Sequence, residues 1–287
     1  YRGYTLHEIP PSGQGIAALI ALGILEKFDL ASLPVDSTAS QHLQIEAMKL
    51  AFADVYRYVS ERSTMEVTTE QMLDDAYLAS RARLIDMRRA QDFQAGNPVK
   101  GGTIYLTAAD ENGMMVSFIQ SNYMGFGSGC VEPHYGISLQ NRGYGFSLDA
   151  ASPNVVAPGK RPFHTIIPAF LTKDGQPVMS YGVMGGNMQP QGHMQTLVRM
   201  LDYRQGLQAA CDAPRWRFNK GLNINVEAAM NAATVQGLKD LGHEIDVIND
   251  SYQDFGAGQF IWRAGNPAVE GYVAASDPRR DGLAAGY

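Results

Sequence analysis

Two extended segments separated by an Asn-Gly turn lie near the middle of the chain. The first spans residues 101–110, the second spans residues 114–119, and Asn112-Gly113 falls between them. Extended apolar runs on either side of such a turn predict a β-hairpin. The first strand begins with Thr103, directly after two glycines. A β-branched residue is ordinary in a strand, but a nucleophile freed by cleavage of the chain would also lie here.

The charge balance argues against nucleic-acid binding. The 287 residues include 23 Lys and Arg against 29 Asp and Glu, and no block of like charges occurs. A nucleic-acid partner calls for a basic surface, so small-molecule or peptide chemistry is favoured.

Two cysteines, Cys130 and Cys211, cannot form a disulfide framework. They are either two buried free thiols or a single bridge.

The sequence contains no segment of about 18 apolar residues that would cross a membrane, and no signal-peptide pattern at its start. The chain begins at Tyr1, without a methionine. We therefore expect it to be the C-terminal part of a longer polypeptide. The compartment stays open between cytoplasmic, periplasmic and secreted, because the region that would decide it lies upstream.

The first hundred residues have mainly helical patterns. Residues 16–28 are apolar on nearly every side, which predicts a buried helix. Thr38 and Gln41 have the spacing of a capping box for a second helix, with one face toward the core and the other toward water. Residues 69–92 predict two shorter charged helices. Residues 95–102 lose all periodicity and predict either a flexible linker or an ordinary surface loop.

Strands and helices follow one another in the rest of the chain. A second hairpin is predicted around Asp174-Gly175. Further strands are predicted at residues 137–140, 144–148, 245–248, 259–262 and 269–274, and helices at 188–204, 206–213 and 229–241. This order predicts layers stacked around antiparallel sheets.

Several motifs resemble the gamma-glutamyltranspeptidase family. Thr103, Asp110 and Gly113 match its pattern at the point where the precursor cuts itself. Further matches cover almost the whole chain: Tyr1-Arg2-Gly3-Tyr4, Pro10-Pro11-Ser12-Gly13-Gln14-Gly15, Pro158-Gly159-Lys160-Arg161-Pro162, Gly185-Gly186 and Ser276-Asp277-Pro278-Arg279-Arg280.

The resemblance implies an α+β fold, a four-layer αββα sandwich of two antiparallel sheets flanked by helices, as in N-terminal-nucleophile hydrolases. It also implies self-cleavage between Gly102 and Thr103. Residues 1–102 would then be the mostly helical end of a large subunit, and residues 103–287 the small catalytic subunit of the same folded unit.

Catalytic roles also follow from the resemblance. In the family the freed threonine attacks a γ-glutamyl amide, and the acyl-enzyme passes to water or to an amino acid or peptide acceptor. Thr103 is the expected nucleophile. Its own α-amine is the expected base, because an α-amine pKa of about 7.7 to 8.0 leaves part of it neutral near pH 7. Gly185 and Gly186 would hold the oxyanion, and Ser121 falls where a hydroxyl orients the amine.

The expected substrate pocket departs from the best-known members of the family. Tyr123 occupies the position of an asparagine, and Asn141 is followed by Arg142. The family's aspartate position falls on Gly145, and its serine pair falls on His164-Thr165. Losing the aspartate removes the partner of a substrate α-ammonium, while Arg142 adds a planar cation suited to a carboxylate.

Two substrate classes follow. The first is γ-glutamyl amides such as glutathione, and the alternative is an acyl group with a carboxylate but no free amine, as in a glutaryl or cephalosporin acylase. A structural ion pair of Arg142 with Asp149, or an outward-pointing Arg142, is the competing interpretation. A further carboxylate-binding arginine of the family comes from the large subunit upstream of residue 1, so upstream residues are expected partners.

Other functional classes have weaker support. No cofactor is expected, and metal catalysis is disfavoured because the six histidines are scattered, without a His-x-x-x-His or Cys-x-x-Cys pair. A homologue that no longer processes itself and acts as a binding or scaffold protein is the non-enzymatic alternative. Gly102 and Ile104 flank Thr103, and neither obstructs an N-to-O acyl shift.

Overall fold

The upstream part of the chain is helical, as its pattern predicts. The computed structural model of the protein describes residues 1–93 and 102–287. Its upstream elements are β1 (Thr5–His7), α1 (Ile16–Leu25), α2 (Thr38–Tyr58), α3 (Thr69–Met72) and α4 (Asp75–Ala82). The helices expected over residues 69–92 are thus shorter than predicted. The segment predicted as a linker lies outside the described residues, except for Gly102.

The downstream part contains both predicted hairpins. Its elements are, in order, β2 (Gly102–Ala109), β3 (Met115–Tyr123), β4 (Val131–Glu132), β5 (Ile137–Ser138), β6 (Ala169–Lys173), β7 (Gln176–Met184), α5 (Met188–Leu197), α6 (Leu207–Asp212), β8 (Trp216–Lys220), β9 (Asn223–Glu227), α7 (Ala232–Asp240), β10 (Glu244–Ile248), α8 (Ser251–Asp254), β11 (Ala257–Arg263) and β12 (Tyr272–Ser276). Within the described ranges, no helix combines the length and apolar character needed to cross a membrane.

The strand predictions failed at several places. Residues 144–148 are not a strand, because Arg142–Gly145 form a tight 3₁₀ turn. Strands β1, β4, β8 and β9 were not predicted at all. Strand β8 contains Arg217, whose buried guanidinium pairs with Asp254 at 3.2 Å, so its burial depends on a partner far along the chain.

The strands form antiparallel layers with one exception. The large sheet has the order β1-β6-β7-β11-β12, and all its pairs are antiparallel. The β2–β3 hairpin is a separate antiparallel layer. In the small sheet β8 pairs antiparallel with β9, but β9 and β10 are parallel. Helix α7 makes the crossover that a parallel pair needs, so the expectation of antiparallel pairing is wrong here.

Strand β7 lies between a helical layer and the β2–β3 layer. Successive side chains of a strand point to opposite faces. On one face the Tyr181 ring lies 5.1 Å from the ring of His193 in α5. On the other face the ring of Tyr105 in β2 covers Gly182, where an added Cβ would lie 2.6 Å from the ring. Helix, sheet and hairpin therefore stack in succession.

The two cysteines differ in their exposure to solvent. Cys130 is exposed and Cys211 is buried, and both are free thiols. The possible bridge does not form. The expectation that both thiols are buried is wrong for Cys130, which lies in the loop before β4.

Helix α2 differs from its prediction at its start and on its outer face. The cap is Ser37, whose Oγ accepts the Ser40 N–H at 3.2 Å, rather than Thr38. The face expected to meet water is buried and includes Glu46 and Lys49, both with no exposed surface. The reason is tertiary, since α1, α7 and β8 all contact α2.

The buried charges of α2 belong to a directed hydrogen-bond chain. The Lys49 ammonium donates to Glu46 Oε1 at 2.8 Å and to His243 Nδ1 at 3.3 Å. His243 Nε2 and His42 Nδ1 are 2.8 Å apart, and His42 Nε2 lies 3.0 Å from the Asp86 carbonyl oxygen. Since that carbonyl only accepts, each histidine donates through Nε2 and accepts through Nδ1. Both rings are therefore neutral.

The same hydrogen-bond cluster also holds the segment that leads toward the predicted cleavage point. The Gln91 N–H donates to Glu46 Oε2 at 3.2 Å, and the Lys49 ammonium donates to the Gln91 carbonyl at 3.1 Å. His243 lies directly before β10. The cluster thus joins helix α2, residues 86–91 and the small sheet.

Replacing Lys49 with methionine should strongly destabilise the protein. The variant removes the cation beside the buried Glu46 carboxylate, and breaking such a pair costs about 3 to 5 kcal/mol. Urea unfolding monitored by circular dichroism measures the loss. Lys27→Met is the matched control, because the Lys27–Asp75 ion pair is at the surface and should contribute less than about 1 kcal/mol. Equal losses in both variants would contradict the prediction.

The histidine pair should make stability depend on pH below neutrality. Burial first, and then the charge of Lys49 and the neighbouring His42 ring, which opposes protonation of His243, lower the pKa of His243 to about 2, against about 6.5 in an unfolded chain. The folded pKa is the lower one, so stability is full above pH 6.5 and falls as pH falls. From His243 alone the loss between pH 7.5 and 5 is about 2 kcal/mol.

The variant His243→Gln tests this titration, because glutamine can still accept from Lys49 and donate to His42 but cannot take a proton. Unfolding curves at pH 7.5 and 5 should show a smaller acid loss for the variant than for the wild type. The same acid loss in both proteins would exclude His243 as its source.

Candidate active site

The side chains of β2 alternate between the protein interior and its surface, and Thr103 lies on the interior side. Thr103 and Tyr105 are buried, whereas Ile104 between them is 73% exposed. The Tyr105 hydroxyl shares a hydrogen bond of 2.6 Å with the Ser117 hydroxyl of β3. The predicted nucleophile therefore faces the large sheet.

Two contacts between β2 and β7 decide which residue of β7 lies opposite Thr103. The Thr107 hydroxyl is hydrogen-bonded to the Ser180 hydroxyl of β7, and Tyr105 covers the glycine two residues further along β7. The two strands therefore run antiparallel across the layers. Two residues further, Thr103 comes level with Met184, and both line a cavity of about 550 Å³. Gly185 is the next residue after Met184.

The hydroxyl of Thr103 has a fixed partner. Thr103 Oγ1 donates to Ser121 Oγ at 3.2 Å, and Ser121 Oγ also accepts the Tyr123 N–H at 2.8 Å. Both donors converge on one oxygen of β3, so the end of that strand holds the hydroxyl of the predicted nucleophile. Sequence reasoning placed Ser121 beside Thr103, and this contact is consistent with that placement.

The Gly185-Gly186 pair forms the turn from β7 into α5. Gly185 and Gly186 have φ values of 126° and 60°, a region that side chains disfavour. The Gly185 carbonyl accepts the Met188 N–H at 3.1 Å, and the Gly186 carbonyl accepts the Gln189 N–H at 3.2 Å. Because N–H and C=O of a trans peptide point in opposite directions, the Gly186 N–H points away from the helix. Such an orientation suits an anion at the end of β7.

An arginine–tyrosine pair follows the end of β3. The guanidinium carbon of Arg142 lies 5.2 Å from the ring centroid of Tyr123, within cation–π range. Tyr123 itself has φ of +79°. Within residues 1–93 and 102–287, both terminal nitrogens of Arg142 are buried without a hydrogen-bond partner, and no ion pair with Asp149 forms. The two competing interpretations of Arg142, a pair with Asp149 and an outward orientation, are therefore wrong.

His164 and Thr165 lie close to this arginine. The His164 ring packs on Gly13, where an added Cβ would lie 2.8 Å from the ring. Burial and the charges of Arg142 and Arg161 lower the pKa of His164 to about 4, so the ring is neutral at pH 7. Among the described residues, His164 Nδ1 and Thr165 Oγ1 are buried and unpartnered. The charge of Arg142 thus acts on His164, and these two residues with Thr165, together called the Arg142 cluster, all have unused hydrogen-bonding atoms.

Asn141 has a different environment from the rest of the predicted pocket. Its Oδ1 accepts the Met124 N–H at 3.1 Å, which braces the loop after β3.

The large cavity beside Thr103 is lined by β11, β12 and residues 280–285, and by none of the five predicted pocket residues within the described chain. The structure therefore separates that cavity from the Arg142 cluster.

Sequence reasoning missed one buried side chain between these parts. Gln14 Nε2 donates to the carbonyl oxygens of Thr165 at 2.7 Å and Gly186 at 2.8 Å. The only sequence signal was its place in the motif at residues 10–15, which was quoted without a role for the glutamine.

Metal-ligand chemistry is found in one place in the described chain. Donor atoms of His42, Glu46 and His243 lie within 4.8 Å of one another, although the histidines are 201 residues apart. These atoms already bond to each other and to the Lys49 ammonium. That ammonium supplies the positive charge a metal ion would bring, so no metal is assigned to the cluster.

Comparison with known proteins places this geometry in a family. Residues 1–287 match the family model described as Gamma-glutamyltranspeptidase. The chain is 36% identical to a glutathione hydrolase-like YwrD proenzyme of Bacillus subtilis, with 100% of this chain and 54% of that protein covered. It is 36% identical to an oxamate amidohydrolase proenzyme of Klebsiella pneumoniae, with 99% and 53% covered. The chain thus spans about half the length of these relatives.

Solved structures agree. A cephalosporin acylase from Bacillus halodurans has 48% identity and a TM-score of 0.93, over 100% of this chain and 52% of that one. The gamma-glutamyltranspeptidase from Pseudomonas nitroreducens, at 24% identity, shares the fold with a TM-score of 0.57 over 64% of this chain and 98% of that one. The fold is the α+β, αββα sandwich of N-terminal-nucleophile hydrolases. The chain therefore belongs to the gamma-glutamyltranspeptidase family.

Proposed function

We propose that this chain carries the catalytic centre of an N-terminal-threonine amidohydrolase for acyl groups that bear a carboxylate and no free α-amine. Self-cleavage between Gly102 and Thr103 would divide it into the end of a large subunit, residues 1–102, and a small subunit, residues 103–287. The observation that carries the substrate class is the buried Arg142 guanidinium, whose terminal nitrogens have no partner among the described residues.

The mechanism begins with the freed Thr103. Its neutral α-amine takes the proton of the Oγ1 hydroxyl, which attacks the amide carbonyl of the substrate. Backbone N–H groups of the Gly185-Gly186 turn stabilise the oxyanion, and loss of one such donor typically lowers kcat by 10² to 10³. The protonated amine then gives its proton to the leaving amine. Water, or an acceptor amine, releases the acyl group from Thr103, and Ser121 keeps the hydroxyl in place.

The positive charge of the Arg142 cluster favours an anionic acyl group. A buried guanidinium that lacks an anionic partner gains a strong, charge-assisted interaction when a carboxylate arrives. Neutral His164 and Thr165 offer further hydrogen-bonding atoms beside it. The charges acting on His164 are those of Arg142 and Arg161, both positive, and Arg161 is paired with Glu61 at 2.6 Å, which leaves Arg142 as the unbalanced one of the two. A substrate α-ammonium would be repelled there.

The backbone at Gly145 gives a reason why, among the described residues, no acidic side chain balances the charge of Arg142. Gly145 occupies the position of the family's aspartate, and an added Cβ there would lie 2.2 Å from the Phe163 carbonyl oxygen. No side chain fits at that distance without movement of the main chain. The missing acid is thus part of the local fold. One relative, the oxamate amidohydrolase, is named for a substrate that has a carboxylate and no free α-amine, and one solved relative is named as a cephalosporin acylase.

The second candidate is hydrolysis or transfer of γ-glutamyl groups. Relatives named glutathione hydrolase proenzyme support it, at 29% to 30% identity in Bacillus subtilis. A γ-glutamyl group also has an α-carboxylate that Arg142 could bind. The two candidates differ only in the treatment of the α-ammonium, so one pair of substrates separates them.

Self-cleavage predicts two fragments. Protein carrying its whole natural sequence, incubated near pH 7.5, should give masses that meet at Gly102/Thr103, while Thr103→Ala stays intact because it has no hydroxyl. Thr103→Ser is the control, since its hydroxyl should still allow cleavage, at a lower rate. Intact-mass spectrometry under denaturing conditions measures this. An uncleaved wild type, or cleavage elsewhere, would remove Thr103 as an N-terminal nucleophile.

The substrate preference should depend on Arg142. We expect kcat/KM for glutaryl anilide to exceed that for γ-glutamyl anilide at least tenfold, and Arg142→Gln to lower the glutaryl value by about 10² because a buried charge-assisted bond is lost. Arg57→Gln is the matched control, because Arg57 also lies over a tyrosine ring, at 5.6 Å, but at the surface. A preference for the γ-glutamyl anilide would overturn the proposed substrate class and leave the amidohydrolase mechanism intact.

A further inference from the structure

The side chain of Gln14 connects the pocket wall to the oxyanion turn. It is fully buried, and its amide nitrogen donates to the Thr165 carbonyl at 2.7 Å and to the Gly186 carbonyl at 2.8 Å. Both neighbours are acceptors only, so the NH₂ group must face them and the amide orientation is unambiguous. The Gln14 main-chain N–H donates in addition to the His164 carbonyl at 3.1 Å. One residue thus bonds to three carbonyls in two segments.

We propose that Gln14 is a positioning residue that holds the Gly185-Gly186 turn in its catalytic orientation and couples it to the main chain of His164 and Thr165. This inference rests on the proposed function, because it assigns a purpose to the orientation of that turn. Gln14 touches no reacting atom, and it acts through the peptide group of Gly186.

The turn needs such a restraint because of its sequence. Two consecutive glycines have no side chains to pack, and their main chain samples a wide range of φ and ψ. The Gly186 carbonyl accepts from the Gln189 N–H in the first turn of α5 and from Gln14 on the other side. A carbonyl oxygen has two lone pairs, so both are used. The plane of the Gly186–Asn187 peptide is therefore fixed. This restrains ψ of Gly186, the residue whose own N–H, on the preceding peptide, points away from the helix.

A second side chain supports the turn from the same part of the chain. Asn187 Nδ2 donates to the Tyr56 hydroxyl oxygen of α2. Both Gln14 and Tyr56 precede the predicted cleavage point, whereas the turn follows it. The catalytic orientation would then depend on side chains of one subunit that bond to the other after cleavage.

Another buried glutamine provides a matched control. Gln195 of α5 is 4% exposed, its Nε2 donates to the Trp216 carbonyl at 2.9 Å, and its Oε1 accepts the Trp216 N–H at 3.3 Å. It satisfies the main chain of β8 and has no bond to the oxyanion turn. Loss of Gln195 therefore reproduces the cost of losing a buried amide without the positioning effect.

The test compares Gln14→Met with Gln195→Met in the processed enzyme, using glutaryl anilide and γ-glutamyl anilide. Methionine keeps the side-chain length and volume but has no donor. For Gln14→Met we expect kcat to fall about tenfold or more, since small misplacement of catalytic groups is costly, with KM changed less than about threefold. Amide hydrogen exchange of the peptide spanning residues 185–187 should become faster. Gln195→Met should lower stability but leave kcat and that exchange unchanged.

Each outcome decides the proposal. Lower kcat with faster exchange in Gln14→Met alone supports positioning. Unchanged exchange of residues 185–187 in Gln14→Met, or equal changes in both variants, overturns it. If the wild type hydrolyses neither anilide, the proposed function fails, and the exchange comparison still decides whether Gln14 holds the turn.

Discussion

The packing of Tyr105 on Gly182 is the contact on which the site depends. It brings the β2–β3 hairpin against the large sheet, and a side chain at position 182 would collide with the ring. Because the two strands run antiparallel across the layers, this contact also decides what lies beyond it. Thr103 comes level with Met184, at the end of β7 where the glycine turn begins. A change of register by two residues would separate the hydroxyl from the turn.

Buried polar groups join the parts of the chain that cleavage would separate. Lys49 and Glu46 of α2 bond to His243 and to residue 91 in one connected cluster. Gln14 does the same at the candidate site, where it reaches the Gly185-Gly186 turn from the upstream part. The bonds of Lys49 to His243 and of Gln14 to Thr165 and Gly186 form only when both parts are in place. The association of the two parts and the geometry of the site are therefore linked.

The surroundings of Arg142 are the basis of the substrate class proposed for this chain. Membership rests on similarity along the whole chain, but the similarity extends to relatives named for different substrates. What separates the candidates is local charge. Within the part of the chain that the structure describes, Arg142 stacks on Tyr123 without an acid to neutralise it, and the main chain at Gly145 leaves no room for one. An unpaired buried cation is costly in the free protein, and a carboxylate-bearing substrate would offset that cost.

The sequence by itself determined the hairpins, most helices and the family, because these depend on short-range patterns and on motifs. Thr103 and the Gly185-Gly186 turn could be named from sequence for the same reason. Only the tertiary structure decided which faces are buried. The sequence predicted a solvent-exposed face for α2, but α7 and β8 cover that face. It also brought together His42 and His243, 201 residues apart, and gave Gln14 its two carbonyl partners. No local pattern encodes such contacts, since each depends on where distant segments come to lie.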